Sequence, residues 1–221
     1  MEIFTGIKSL KVFFSYSTND KAIVGTLKNL LESMGFEVFL AHEDLEPCVE
    51  WREEIKENLH NCDIFIPLLT DNFKDSEWTD QETGMAVSAD KFIIPIQVDF
   101  PPYGFIGKIQ SLRKNEYPIE TAKEIVKVIR KRSKFGKDMN NLIIHAFMNS
   151  KSFDQANDRA RLLEDIPDLT PEQIYQLVNS TKKNYIIQKA YVAKRVLRPL
   201  FAKYKSIIKD EEHKELVELL R

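Results

Sequence analysis

The stretch CDIFIPLLT, residues 62–70, constrains this chain more than any other. From Ile64 to Leu69 it is apolar without alternation, the pattern of a strand covered on both faces. It has the length of a strand and is far too short to span a bilayer. Runs of the same kind recur at LKVFFSY (10–16), FEVFLA (36–41) and KFIIPIQVD (91–99). Amphipathic segments separate them. Ile23, Leu27, Leu30 and Leu31 mark the buried face of one helix, and Gly35 stops it. Trp51, Ile55 and Leu59, spaced i, i+4, i+8, mark a second helix, and a third follows DSEWTDQET (75–83) and runs through Ala89. A brief extended piece near Tyr117 and a helix over 119–132 complete the series.

Strand–helix alternation predicts a parallel sheet with helices on both faces. The fold class is α/β, a flavodoxin-like five-stranded sheet in the order 2-1-3-4-5. From about Ser133 the signals become purely helical, so a domain is expected over 1–133 and an all-α region, for docking or oligomerisation, over 134–221. In that region Thr170 reads as an N-cap, with Pro171 at the first helical position and Gln173 closing a capping box. YIIQKAYVAKRVLRPLFAKYKSII reads as a helix that Pro199 kinks or splits, and a last helix starts near Asp210.

Doubly wound sheets bind ligands beyond the carboxyl ends of their strands. Three polar segments are placed there: Ser15-Tyr16-Ser17, AHEDLEPC (41–48) and DSEWTDQE (75–82). Charge narrows the partners. The net charge is −2, and the first 133 residues carry the acidic excess, so no basic stripe is available there for nucleic acid. The two cysteines, Cys48 and Cys62, have no CxxC spacing, and the four histidines do not pair with ligands at metal spacing. No metal and no bound cofactor are expected. MEIFTGIKSL has neither the basic nor the apolar part of a signal peptide, so the expected location is cytoplasmic.

Together these segments resemble the TIR (Toll/interleukin-1 receptor) domain of prokaryotic stand-alone proteins, here with a C-terminal helical extension. KVFFSYSTND is similar to the family's first box. LEPCVEW is similar to the second box, the mobile BB loop, with Cys48 where many members have glycine. SEWTDQE is similar to the segment in which a Ser-x-Trp precedes the glutamate of the enzymatic members. The resemblance implies an NAD-cleaving enzyme with Glu82 catalytic. It implies a substrate site of Ser15, Tyr16 and Trp78. Ala41 stands where enzymatic members often have an acid, and Glu43 and Asp44 are the stand-ins. It also implies a loop of Leu45, Glu46, Pro47, Cys48 and Trp51 that serves assembly.

Glu82 has two readings at this level. Thr79-x-x-Glu82 is a capping box, and a glutamate in a first helical turn is stabilised by the helix dipole. Alternatively, Trp78 and Glu82, spaced i, i+4, present an aromatic wall and a carboxylate on one face, which suits a flat cationic ring such as nicotinamide. Cleavage of the nicotinamide–ribose bond develops oxocarbenium character, which an ionised carboxylate stabilises. Nicotinamide leaves without protonation, so one carboxylate serves where ordinary glycosidases use two. Water yields ADP-ribose, and an internal nucleophile yields a cyclic signal. The resemblance further implies self-association through TIR domains, antiphage defence in bacteria, and an effector that responds to a nucleotide product. The alternative is a non-catalytic TIR adaptor that acts through TIR–TIR contacts.

Overall fold

The computed structural model describes residues 9–41, 51–132 and 134–221, without the side chains of residues 51, 137 and 138. The described residues fall into two compact units, one of residues 9–32 and 36–132 and one of residues 33–35 and 134–221.

The first unit is built on β1 (Lys11–Ser15). It pairs in parallel with β2 (Glu37–Leu40) on one side and β3 (Ile64–Leu69) on the other. All six residues of β3 are buried, as an apolar run without alternation requires. Beyond β3 lie β4 (Phe92–Ile93) and β5 (Ile96–Gln97), both parallel to it, and β6 (Leu112–Arg113) pairs with β5. The order is therefore β2-β1-β3-β5-β6, with β4 also on β3. The expected fourth strand is present as two halves. The register from Phe65↔Ile93 to Leu68↔Ile96 puts Pro95 opposite Pro67, and neither residue has an N–H for the ladder.

The fifth strand is a correction. It lies at Leu112–Arg113 and not near Tyr117. The Tyr117 N–H donates to Asn115 Oδ1 at 3.0 Å, a local asparagine turn that leads into α5 (Pro118–Arg132).

Helices cover the sheet. In α1 (Lys21–Ser33) the buried residues are Val24, Leu27 and Leu31, while Ile23 and Leu30 flank them half-buried. Gly35, at φ +99, makes the left-handed turn into β2. In α2 (Trp51–Asn61), Ile55 and Leu59 pack in a cluster with Phe13 and Phe65. Phe13 stacks on Phe65 with ring centroids 5.8 Å apart. After β3 come a short helix, α3 (Asp71–Lys74), and then α4 (Glu77–Ser88).

The second unit contains α6 (Gly136–Met148), α7 (Phe153–Leu163), α8 (Pro171–Lys183), α9 (Tyr185–Lys189), α10 (Tyr191–Lys203) and α11 (Asp210–Leu219). Ile143, Phe147, Ala160, Leu177, Ala193 and Leu197 are among its fully buried residues. The capping box of Thr170 and Gln173 is formed, with Pro171 at its start. Pro199 lies inside α10, and the break in the long apolar segment falls at Ala190 instead. The cause is a cap supplied from elsewhere in the unit: Asn157 Oδ1 accepts from the Val192 N–H at 2.8 Å and starts α10. No helix among the described residues is long and apolar enough to cross a membrane.

Candidate active site

The buried face of α4 consists of Thr79, Glu82, Thr83 and Ala86, so three of its four residues are polar. A helix that merely packs on a sheet buries an apolar stripe. These polar groups therefore need individual accounts.

Thr79 has a structural one. Its hydroxyl lies within hydrogen-bond distance of two carbonyls, Phe73 O at 2.6 Å and Ser76 O at 2.9 Å, which share its one proton and close the α3–α4 junction. Ser76 is the N-cap of α4, which makes Thr79 the third helical residue and puts Glu82 beyond the first turn. The capping-box reading of Thr79 and Glu82 is thus corrected: the glutamate caps nothing.

Glu82 instead reaches the end of β1. Its Oε2 accepts the Ser15 hydroxyl at 2.5 Å, and both residues are fully buried. Its Oε1 is buried with no hydrogen-bond partner among the described residues. Burial raises the carboxyl from its ordinary 4.5 to about 7, and the Ser15 hydrogen bond partly opposes the rise. A buried carboxylate with one oxygen unmatched is costly unless a donor or a positive charge arrives. Such a group can hold a cation or a ring of hydroxyls, and near neutral pH it can exchange a proton.

Trp78, one turn earlier on α4, is half-buried. The Arg52 guanidinium, from the first turn of α2, sits 5.3 Å from the centroid of its ring, so this aromatic face already accepts a flat cation. Tyr16 is fully buried beside Ser15 at the end of β1. Glu43, Asp44, Leu45, Glu46, Pro47 and Cys48 lie outside the described residues. Trp51 begins α2, and its side chain is likewise outside them. Of the expected site residues, the structure brings Ser15 and Glu82 into contact, with Tyr16 next to one and Trp78 a turn from the other.

Two features were not placed at the site from the sequence, although Asp20 reads as a residue of the first helical turn after β1. Arg52 is one. The other is Asp20, which is 7% exposed and accepts from Thr70 Oγ1 at 2.6 Å and from Asn72 Nδ2 at 3.0 Å. It ties the exit of β1 to the exit of β3. The signal was available: two neighbouring parallel strands end at one rim, so polar residues just after them must meet. Among the described residues, no group of three His, Cys, Asp or Glu side chains could hold a metal.

A doubly wound parallel sheet with its buried polar groups gathered beyond the strand ends defines an α/β protein of the flavodoxin-like class. The family model for the TIR domain matches residues 12–126, more than half of the chain, and the protein belongs to that family. A comparison with curated proteins finds no match. Three solved structures are similar. The TIR domain of the Toll-related receptor TRR-2 from Hydra magnipapillata is 20% identical, with 54% of this chain and 98% of that one covered and a TM-score of 0.46. The Clostridium botulinum CMP N-glycosidase BcmB is 19% identical over 52% of this chain and 97% of its own, with a TM-score of 0.39. The TIR domains of the activated Roq1 resistosome, which recognises the pathogen effector XopQ, are 20% identical over 72% of this chain and 99% of theirs, at 0.40.

Proposed function

We propose that this protein cleaves the nicotinamide–ribose bond of NAD+, with Glu82 as the catalytic carboxylate. The observation that carries the reading is Oε1 of Glu82, buried and without a hydrogen-bond partner among the described residues while Oε2 is held by Ser15. A non-catalytic adaptor would gain nothing from so costly a group. In the reaction, Ser15 fixes the carboxylate, and the free oxygen faces the ribose, where positive charge develops at the anomeric carbon. Trp78 takes the nicotinamide ring on the face that Arg52 occupies at rest. The cationic substrate itself favours the ionised form of Glu82.

Glu82 is fully buried, so substrate reaches it only after the rim opens. We connect that opening with self-association through TIR domains, aided by the helical unit. Hydrolysis then depletes NAD+, or cyclisation makes a nucleotide signal for an effector, and either outcome suits antiphage defence.

The test incubates purified protein with NAD+ at low and high protein concentration, beside Glu82→Gln, with products followed by chromatography and mass detection. Release of nicotinamide by the wild type and not by the variant is expected, with a steep dependence on protein concentration. A folded variant as active as wild type would end the assignment of Glu82.

A further inference from the structure

Thr83 follows Glu82 on α4, about 100° further round the helix, and faces a different space. It is 7% exposed, and its Oγ1 is buried with no hydrogen-bond partner among the described residues. It lines a cavity of about 200 Å³ together with Phe73, Asp80, Tyr103, Phe105 and Ile106. No residue of this cavity belongs to the Ser15–Glu82 site. A hydroxyl left unmatched against an apolar wall costs stability, and a ligand group that meets it removes that cost.

The wall has a definite character. Three of the six side chains are aromatic rings. The Tyr103 hydroxyl donates to Asp80 Oδ1 at 2.5 Å, which fixes both groups across the mouth. Burial, and then the Asp80 carboxylate, push the Tyr103 phenol well up from its ordinary value, so it remains a donor to Asp80. Asp80 keeps Oδ2 as an acceptor that no described residue engages. Gly104 has φ +54, with open space where a Cβ would stand, and the turn it makes carries Phe105 outward to 82% exposure at the rim. Side chains rarely adopt that backbone, so the turn itself requires glycine.

The volume is below the range of whole-nucleotide pockets and suits one ring system. The polar groups are a carboxylate oxygen that only accepts and a hydroxyl that can donate. Their complement is an amino group beside an acceptor on a flat ring. We infer that this cavity binds a single flat heteroaromatic ring bearing an NH2 group next to a hydrogen-bond acceptor, the NH2 on Asp80 and the acceptor on the Thr83 hydroxyl. Two sources share this chemistry, a pyridine carboxamide such as free nicotinamide and an aminopurine such as adenine. The site stands whether or not Glu82 cleaves NAD+.

Its test uses the full chain carrying Glu82→Gln, which keeps turnover out of the measurement. Dissociation constants for nicotinamide, nicotinate, adenine and hypoxanthine are read by ligand-observed NMR. Nicotinate and hypoxanthine keep the rings but lack the NH2 group. Nicotinamide or adenine is expected to bind with Kd on the order of 1 mM or tighter, and the tighter of the two identifies the source. Its NH2-lacking counterpart is expected to bind about tenfold more weakly. Adding Thr83→Val, nearly isosteric, and separately Phe105→Ala, at an exposed position, is expected to weaken binding about tenfold each with the melting temperature retained. Absence of binding by both NH2 compounds would overturn the inference. So would equal affinity for the NH2-lacking analogues, or binding that both substitutions leave unchanged.

Discussion

Two buried carboxylates stand at the same rim of the sheet, and they are matched differently. Asp20 receives a hydrogen bond on each oxygen, from Asn72 on Oδ1 and from Thr70 on Oδ2. Glu82 receives one, from Ser15, and its second oxygen is buried with no hydrogen-bond partner among the described residues. A carboxylate satisfied on both sides is a brace, because its charge is already answered by the protein. One satisfied on a single side is held in position with capacity left over. On the proposed function, Asp20 belongs to the architecture and Glu82 to the chemistry, and each part of that proposal can be broken separately.

The largest effect is expected on turnover. Glu82→Gln keeps the size and the Ser15 contact but removes the charge, and should lower NAD+ cleavage about 1,000-fold or more. A Ser15-bound amide that still turned over NAD+ would make the two carboxylates alike.

The same substitution should stabilise the fold, and the sign follows from the raised carboxyl. Below the ordinary value of 4.5 the glutamate is protonated both folded and unfolded and contributes nothing. Between 4.5 and about 7 the unfolded chain releases its proton while the folded one keeps it, so stability falls as pH rises. Above that window the penalty is complete, on the order of 3 kcal/mol. Glutamine does not titrate. Chemical denaturation at about pH 5 and pH 8 should therefore show the stability gain of Glu82→Gln growing between the two. A gain that stayed level between the two would mean that Glu82 is ionised in the folded protein throughout.

Asp20→Ala should act in the opposite direction. It strands the buried Thr70 hydroxyl, releases the exposed Asn72 amide to water, and is expected to cost about 2 kcal/mol, read as a lower denaturation midpoint. A loss of catalysis beyond what the lost stability explains would place Asp20 in the active site and erase the contrast.

Much of this arrangement was legible in the sequence, for reasons that particular residues make plain. The run from Ile64 to Leu69 could only be a strand buried on both faces, and the sheet order followed from the alternation around it. The α1 face was read one residue off, with Ile23 in place of Val24, because Ile23 and Val24 are both apolar and period alone does not separate neighbours. The fifth strand was displaced because two residues leave almost no alternation to read. Thr79 and Glu82 imitated a capping box because the helix start at Ser76 depends on the α3–α4 junction, which local spacing does not reveal. The polar composition of α4 was the better signal. A helix with no apolar stripe that nevertheless follows a central strand has to bury polar groups.

The smallest expected effect comes from the hydroxyl that joins the two sides of the site. Ser15 donates the hydrogen bond that holds Glu82 Oε2 and opposes the rise of its carboxyl. Ser15→Ala leaves both oxygens unmatched and raises the carboxyl above about 7. The expected stability cost is about 1 kcal/mol. The kinetic signature is more telling than the size. If NAD+ cleavage needs ionised Glu82, the acidic limb of kcat/KM should move to higher pH, with much of the rate returning on the alkaline side. A uniform loss across about pH 6 to 9, with the limb unmoved, would mean that Ser15 positions the carboxylate without tuning it. The half-matched Glu82 would then owe its protonation behaviour to burial alone.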